Sequence, residues 1–332
     1  MKSFYRFNFK DEISEEEFSV KQKELVLDKA LPNKKFKFSA KEVEYKGKSL
    51  ISEHFDNSLP CILIPIRDNS KLLSITLKNL RDNKVDTQSN IIIIDDRSEE
   101  DLLVLVSDRE SYVRVDNDKG FNFSMLNNIA AKLCTDRGCS EIILWNSDLW
   151  VPNEIVFPKL LKRFRELDVD ILGTKLVYPP MEMSLNGERD TQNIKQFAPH
   201  VLGGKWRETV QFGGDIYNNG LFHHYGRFRD PMEYRVNCNR PSNFITGAFQ
   251  IIKLKSFIDV GGLNPSLSKN FQDNDFCLKI LENGGKIFYE GKDVFLYHDE
   301  SAILYKEKKD KQTLSDQVLF SKIWNEKIME II

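Results

Sequence analysis

The sequence is poor in the features that announce a special environment. Five cysteines (Cys61, Cys134, Cys139, Cys238 and Cys277) stand among 332 residues, and no two form a C-x-x-C pair. An odd count without zinc spacing argues against a disulfide framework and for a reducing compartment, where a thiol inside an apolar run acts as a small hydrophobe. No apolar run approaches the ~18 residues a membrane span needs, so no transmembrane segment is expected. The opening stretch MKSFYRFNFKDEISEEE turns acidic too early for a secretory signal. Lys and Arg (48) nearly balance Asp and Glu (50), and a net charge of −2 sets up no field that calls for nucleic acid. The expectation is a cytoplasmic protein, with peripheral attachment to the inner face of the membrane compatible with it. Neither an internal repeat nor a low-complexity tract is present.

What the chain does have is an ordinary globular composition. Hydrophobic residues make up 41% and charged ones 30%, and 332 residues suffice for one large α/β domain or two smaller ones. Residues 1–58 read as an N-terminal extension, Lys- and Glu-rich, with an exposed helix near 14–29. From Pro60 the pattern changes. CILIPI is a short buried strand, and Leu73, Leu77 and Leu80 follow it at helical spacing. NIIIIDDRS gives a second strand ending in carboxylates, YVRVDN a third and EIILW a fourth. Between the last two, FNFSMLNNIAAKLC forms a helix that Ser124 can cap, with Leu126, Ile129, Ala130 and Leu133 as its apolar stripe. Strands and helices alternating over short links predict an α/β fold, a Rossmann-like, mostly parallel sheet with helices on both faces.

In such sheets ligands bind beyond the carboxyl ends of the strands. Those ends carry Arg67-Asp68, Asp95-Asp96 and Asn146-Ser147-Asp148. After Pro152 the order loosens. DVDILGTKLVY reads as a strand, and 181–243 as long loops and short strands rich in Gly, Asn, Tyr and His. Regular structure resumes with NFITGAFQIIKL, the helix DNDFCLKILENGG and the strands KIFYE and VFLYHDES. An amphipathic tail with Leu319, Ile323 and Trp324 closes the chain and is expected to pack on the domain.

With these pieces in order, the chain resembles the inverting glycosyltransferases of family 2, which have the GT-A fold, and more narrowly their bacterial surface-polysaccharide branch. ILIPIRD, IIIIDDRS, FNFSMLNNIAA, IILWNSDLWVP, ITGAFQIIKLKSFIDVGGLN, FQDNDFCLKILENGGKIFY and LYHDES carry the resemblance over roughly 60–302. It implies a nucleotide-sugar donor (UDP-, dTDP- or GDP-linked), a divalent metal (Mn2+ or Mg2+), a carboxylate base and a glycan acceptor, lipid-linked in that branch. It makes Asp148, the surviving acid of the Asp-x-Asp motif, and His298 the metal ligands. Pro65, Arg67, Asp68, Asp96, Asn127 and Ser147 become donor-binding residues. Asp273 becomes the base, and His224, Thr246, Gly247 and Asp275 line the acceptor and sugar side. Gln272 departs from the family's usual Glu.

The chemistry needs these residue types. A cation lowers the cost of charge building on a departing diphosphate, and a positioned carboxylate can take the proton of an attacking hydroxyl. Blander readings stand beside each assignment. Asp148 also suits a plain turn, Asp95-Asp96 and Asp273-Asp275 are suited to helix capping, and Asn127, His223, His224, His298 and Trp150 to ordinary packing. The resemblance divides the chain into 1–58, a transferase domain 59–302 (nucleotide-sugar half 59–152, acceptor and catalytic half 153–302) and a helical tail 303–332, with a smaller acceptor-side subregion beside the sheet. Two rival functions remain: a non-catalytic nucleotide-sugar or glycan-binding module, and a sugar-phosphate nucleotidylyltransferase. The latter wants a Gly-rich basic loop after the first strand, which IPIRDNS lacks.

Overall fold

A computed structural model describes residues 47–117, 120–180, 183–184, 208–218, 221–300, 311–324 and 326–332. The helix expected near 14–29 and most of 181–207 lie outside these residues.

The first half alternates as its sequence pattern requires. β1 (Gly47–Leu50) and β2 (Cys61–Ile66) precede α1 (Ser70–Asp82). β3 (Asn90–Asp95) and β4 (Glu110–Val115) lead to α2 (Phe123–Asp136) and β5 (Glu141–Trp145). β2 and β3 are buried at every residue, as strands covered on both faces must be. Each fully buried Ile or Leu there contributes about 1.5–3 kcal/mol. α1 buries Leu72, Leu73, Thr76, Leu77 and Leu80, and Asn69 caps it by accepting from Leu72 N–H. α2 differs from expectation at its start: Asn122, not Ser124, caps it by accepting from Met125 N–H, and the Ser124 hydroxyl donates instead to the Leu267 carbonyl.

Beyond lie β6 (Leu149–Trp150), α3 (Val156–Leu167), β7 (Ile171–Thr174), β8 (Leu176–Val177), β9 (Val210–Phe212), β10 (Asp215–Asn218) and β11 (Leu221–His224). β12 (Asn239–Pro241), β13 (Phe249–Lys253), α4 (Leu254–Asp259), α5 (Gln272–Glu282), β14 (Ile287–Glu290) and β15 (Leu296–His298) follow, then α6 (Lys311–Trp324) and α7 (Ile328–Ile331). The segment DVDILGTKLVY thus holds two strands rather than one.

Nine strands form the central sheet in the order β1-β4-β3-β2-β5-β13-β7-β14-β12. β4, β3, β2 and β5 are mutually parallel, so their carboxyl ends share one edge. β13 enters antiparallel beside β5, with Phe249 opposite Trp145. The start of β13 therefore meets the end of β5 at that same edge. A second sheet, β6-β15-β8-β9, stands beside it. β1, inside the expected extension, pairs antiparallel with β4 at the sheet's border and is exposed throughout.

Candidate active site

The site grows from the edge where β2, β3 and β5 end. After β5 the chain turns tightly, with Leu149 N–H bonding to the Asn146 carbonyl, and Asp148 emerges at the turn. Asn146 N–H donates to the Ala248 carbonyl, which ties this turn to the start of β13. β6 then pairs with β15, placing His298 opposite Leu149. As a result His298 Nε2 lies 3.3 Å from Asp148 Oδ1. Trp150 takes the packing role: it is fully buried and donates through Nε1 to Thr76 Oγ1 at 3.0 Å. Ser147 is buried and its carbonyl accepts from the Thr76 hydroxyl.

Two ligand atoms held at right angles about 2.1 Å from one ion stand roughly 3 Å apart. The Asp148–His298 pair meets that spacing. Gln211 of β9 supports it, because Gln211 Oε1 lies 3.1 Å from His298 Nδ1. An Nδ1–H donated to this amide oxygen leaves the Nε2 lone pair directed at the carboxylate, as a metal-bound imidazole requires. Carboxylate and imidazole together suit Mn2+, and the carboxylate alone also suits Mg2+. Burial disfavours the His298 imidazolium, but the charges of Asp148, Glu300 and Asp299 outweigh it and raise its pKa.

The same amide reaches the other way, Gln211 Nε2 lying 3.2 Å from His224 Nδ1. Burial pulls the His224 pKa down to about 4, so the ring is neutral near pH 7. Its Nε2 stands 3.8 Å from Asp215 Oδ1, and the Asp215 side chain is only 4% exposed. Burial, reinforced by the charge of Asp273, pushes Asp215 well above the usual carboxylate range. Asn274 Nδ2 contacts Asp215 Oδ2 at 3.4 Å. A continuous polar chain therefore runs from Asp148 through His298, Gln211, His224 and Asp215 to the helix that bears Asp273.

Asp273 sits in the first turn of α5. Its Oδ2 accepts Gly247 N–H at 2.8 Å and its Oδ1 accepts Asn274 N–H at 2.9 Å. The N-cap residue Phe271 is left-handed, with φ 64° and no side-chain capping bond, and Asp273 Oδ1 satisfies one free N–H of the first turn while Oδ2 faces Gly247. Burial raises the Asp273 pKa against these two hydrogen bonds. At Gly247 a Cβ would stand 3.2 Å from Asp273 Cβ, so glycine lets the strand-end backbone approach the carboxylate. Thr246 is nearly buried beside it. Asp275 is enclosed: its Oδ1 accepts Trp324 Nε1–H at 2.8 Å, and Oδ2 lies 3.2 Å from Lys279 Nζ.

On the other flank, Asp96 follows β3 and is fully buried. Asn117 Nδ2 donates to its Oδ1 at 2.9 Å, Arg67 Nη1 lies 3.7 Å from Oδ2, and Oδ2 has no hydrogen-bond partner. Burial raises its pKa, opposed by Asn117 and Arg67. An orphaned buried carboxylate oxygen beside a cation is a place for a ligand donor group. Asp68 braces the neighbouring loops, its Oδ1 accepting Glu99 N–H at 2.7 Å. Pro65 lies within β2, level with Ile94. Asn127 is buried on α2 with its Nδ2 donating to the Phe123 carbonyl and its Oδ1 unpartnered.

Sequence reading did not find Gln211, Asp215, Arg227 or Glu300. Arg227 pairs with Glu300, and both contact the Tyr178 hydroxyl. Glu300 is pulled down to about 2, where burial is overcome chiefly by the charge of Arg227, with His298 and the Tyr178 hydroxyl in support. Only its place two residues after His298 could have pointed to it.

The family model for glycosyl transferase family 2 matches residues 61–227, just over half of the chain, so the chain belongs to that family. An uncharacterized protein, y4gI, of Sinorhizobium fredii is 31% identical over 261 residues, covering 74% of this chain. The chain spans only 25% of that protein's length. Among solved structures, GalNAc-T7 with UDP, GalNAc and Mn2+ superposes with a TM-score of 0.56 at 15% identity, over 81% of this chain and 49% of that one. A mannosyltransferase of Pyrobaculum calidifontis in complex with GDP-Man and Mn2+ gives a TM-score of 0.48 at 11% identity, over 87% and 65% of the two chains. The mixed α/β architecture is that of GT-A glycosyltransferases. No helix among the described residues is long and apolar enough to cross a membrane.

Proposed function

We propose that the protein is an inverting, metal-assisted glycosyltransferase that moves a sugar from a UDP-, dTDP- or GDP-linked donor to a hydroxyl of a growing surface glycan, such as a lipopolysaccharide O-antigen or capsule. The acceptor is lipid-linked and the protein works in the cytoplasm, at the inner face of the membrane. The observation that carries this reading is the convergence at one sheet edge of Asp148 and His298, 3.3 Å apart, with Asp273, whose carboxylate is fixed by the Gly247 N–H at 2.8 Å.

Asp148 and His298 hold a divalent cation, Mn2+ or Mg2+. That cation, when bound, supplies Lewis-acid stabilisation of charge on the departing diphosphate. Asp96, Arg67 and Asp68 bind the nucleoside, with Pro65, Asn127 and Ser147 shaping the donor slot. Asp273 takes the proton of the attacking hydroxyl, and burial, which raises its pKa, makes its carboxylate a stronger base. Thr246, Gly247 and His224 border the sugar and acceptor, and Asp275 holds the base-bearing helix from inside. The transferase unit is 59–302, flanked by 1–58 and the tail 303–332. The relative holding UDP, GalNAc and Mn2+ on the same fold is in keeping with this donor chemistry.

The test is a panel of nucleotide sugars with Mn2+ and candidate acceptors, read as released nucleoside diphosphate. Asp273→Asn is expected to lower turnover by at least about a hundredfold while donor binding persists. Unchanged turnover removes Asp273 as base. Binding without turnover for every donor and acceptor would favour a non-catalytic module.

A further inference from the structure

A second cluster of ligating side chains lies at the opposite end of the sheet. Cys61 opens β2, Cys134 lies in the last turns of α2, and Cys139 precedes β5. Their three sulfurs all fall within 4.8 Å of one another, and Cys61 Sγ is 3.4 Å from Cys139 Sγ. Cys61 and Cys134 are fully buried and Cys139 is 9% exposed.

We propose that Cys61, Cys134 and Cys139 form a binding site for one soft, thiophilic cation, such as Zn2+ or Cu+, that ties β2, α2 and β5 together.

The spacing suits the chemistry. Thiolates at about 2.3 Å around a tetrahedral ion stand roughly 3.8 Å from one another, inside the range these sulfurs already occupy. Soft sulfur ligands select such ions over Mg2+ or Mn2+, so this centre does not compete with the Asp148–His298 pair. Asn90 Nδ2 points at Cys61 Sγ from 3.6 Å, a hydrogen bond of the kind that supports metal-bound thiolates from outside. Arg137 stands two residues before Cys139 in the same turn. Arg137 also lines a surface groove of about 660 Å³ with Phe55 and Asn57, and Asn57 Nδ2 contacts the Arg137 carbonyl at 3.3 Å. The turn carrying Cys139 is thus reached from solvent. Binding converts S–H groups to thiolate ligands and releases their protons to water, so affinity rises with pH.

Cys277 is the internal contrast. It is fully buried and stands outside the group of three sulfurs, its Sγ near the Ile245 carbonyl at 3.7 Å, and burial, reinforced by the charges of Asp273 and Asp215, drives its thiol upward. That is a cysteine used as a small apolar side chain.

Reduced, chelator-treated full-length protein is titrated with Cd2+ as probe, following ultraviolet sulfur-to-metal charge transfer. One equivalent is expected to saturate the band. Cys134→Ser should weaken binding at least about tenfold, and Cys277→Ser should leave it unchanged. X-ray absorption of the Cd2+-loaded wild type, which needs no variant to fold, is expected to count three sulfurs. No stoichiometric band, fewer than three sulfurs, equal binding by Cys134→Ser, or a Cys61–Cys139 disulfide in reduced preparations would each overturn the proposal.

Discussion

At the scale of single residues, the site depends on contacts that leave no slack. Gly247→Ala places a methyl 3.2 Å from Asp273 Cβ, so Asp273, the proposed base, must give way by a few tenths of an ångström. Misplacing a reacting group by 1 Å can cost about a hundredfold, and the expected result is a fall in kcat of about tenfold with donor KM unchanged. Steady-state kinetics on the purified variant would show it. Gln211→Leu removes the oxygen that lies 3.1 Å from His298 Nδ1. Loss of such an outer partner weakens metal affinity about 10–100-fold, seen as a higher Mn2+ concentration for half-maximal turnover. Asp215 yields a prediction with a definite sign. Its folded pKa is raised by burial and by Asp273, so its contribution to stability is fully present below the unfolded value of about 3.9 and is lost as pH rises through the folded value. Asp215→Asn, which cannot ionise, should match the wild type near pH 4 and become the more stable protein as pH rises toward 8. Denaturant midpoints across that range measure it, and parallel curves would refute the burial argument.

At the scale of elements, α6 matters more than its place at the chain's end suggests. Asp316, Phe320 and Trp324 recur every fourth residue and so share one helical face. Asp316 Oδ2 accepts Lys269 and Asn270 N–H at 2.9 and 3.1 Å. Phe320 stacks on Phe271, ring centroids 5.1 Å apart, and Trp324 donates to Asp275. All three grip the segment that carries Asp273. Trp324→Phe keeps an aromatic side chain but removes the indole N–H, a bond to a carboxylate worth about 1.5–3 kcal/mol, together with part of the buried ring volume. Its expected effect is a kcat loss of about tenfold or more, with donor affinity intact by calorimetry. The amphipathic pattern at Leu319, Ile323 and Trp324 announced a packing helix, but not its partner, because the contacts span 46 to 49 residues and those of Asp316 run to backbone. Elements whose period alone decides their burial, β2, β3, α1 and α2, were legible. The split of 171–177 into two strands in two sheets was not, since both halves are equally buried.

At the scale of the molecule, the strand-end acids were readable because parallel topology forces β2, β3 and β5 to end together, and Arg67, Asp96 and Asp148 with them. Gln211, His224 and Asp215 form a linked chain only through the small sheets of an aperiodic segment, where no spacing rule connects them. The whole fold should nevertheless register what binds at the edge, since a ligand that prefers the native state stabilises it by mass action. At a hundred times its dissociation constant the gain is about 2.7 kcal/mol. For a chain of this length each kcal/mol moves Tm by about 2 °C, so saturating Mn2+ with the correct nucleoside diphosphate should raise Tm by roughly 5 °C. Chelation should return it, and Asp148→Ala should abolish the rise while leaving the ligand-free Tm close to that of the wild type, because among the described residues its carboxylate pairs only with His298. A rise of equal size in Asp148→Ala, or one that survives the chelator, would place the cation elsewhere than between Asp148 and His298.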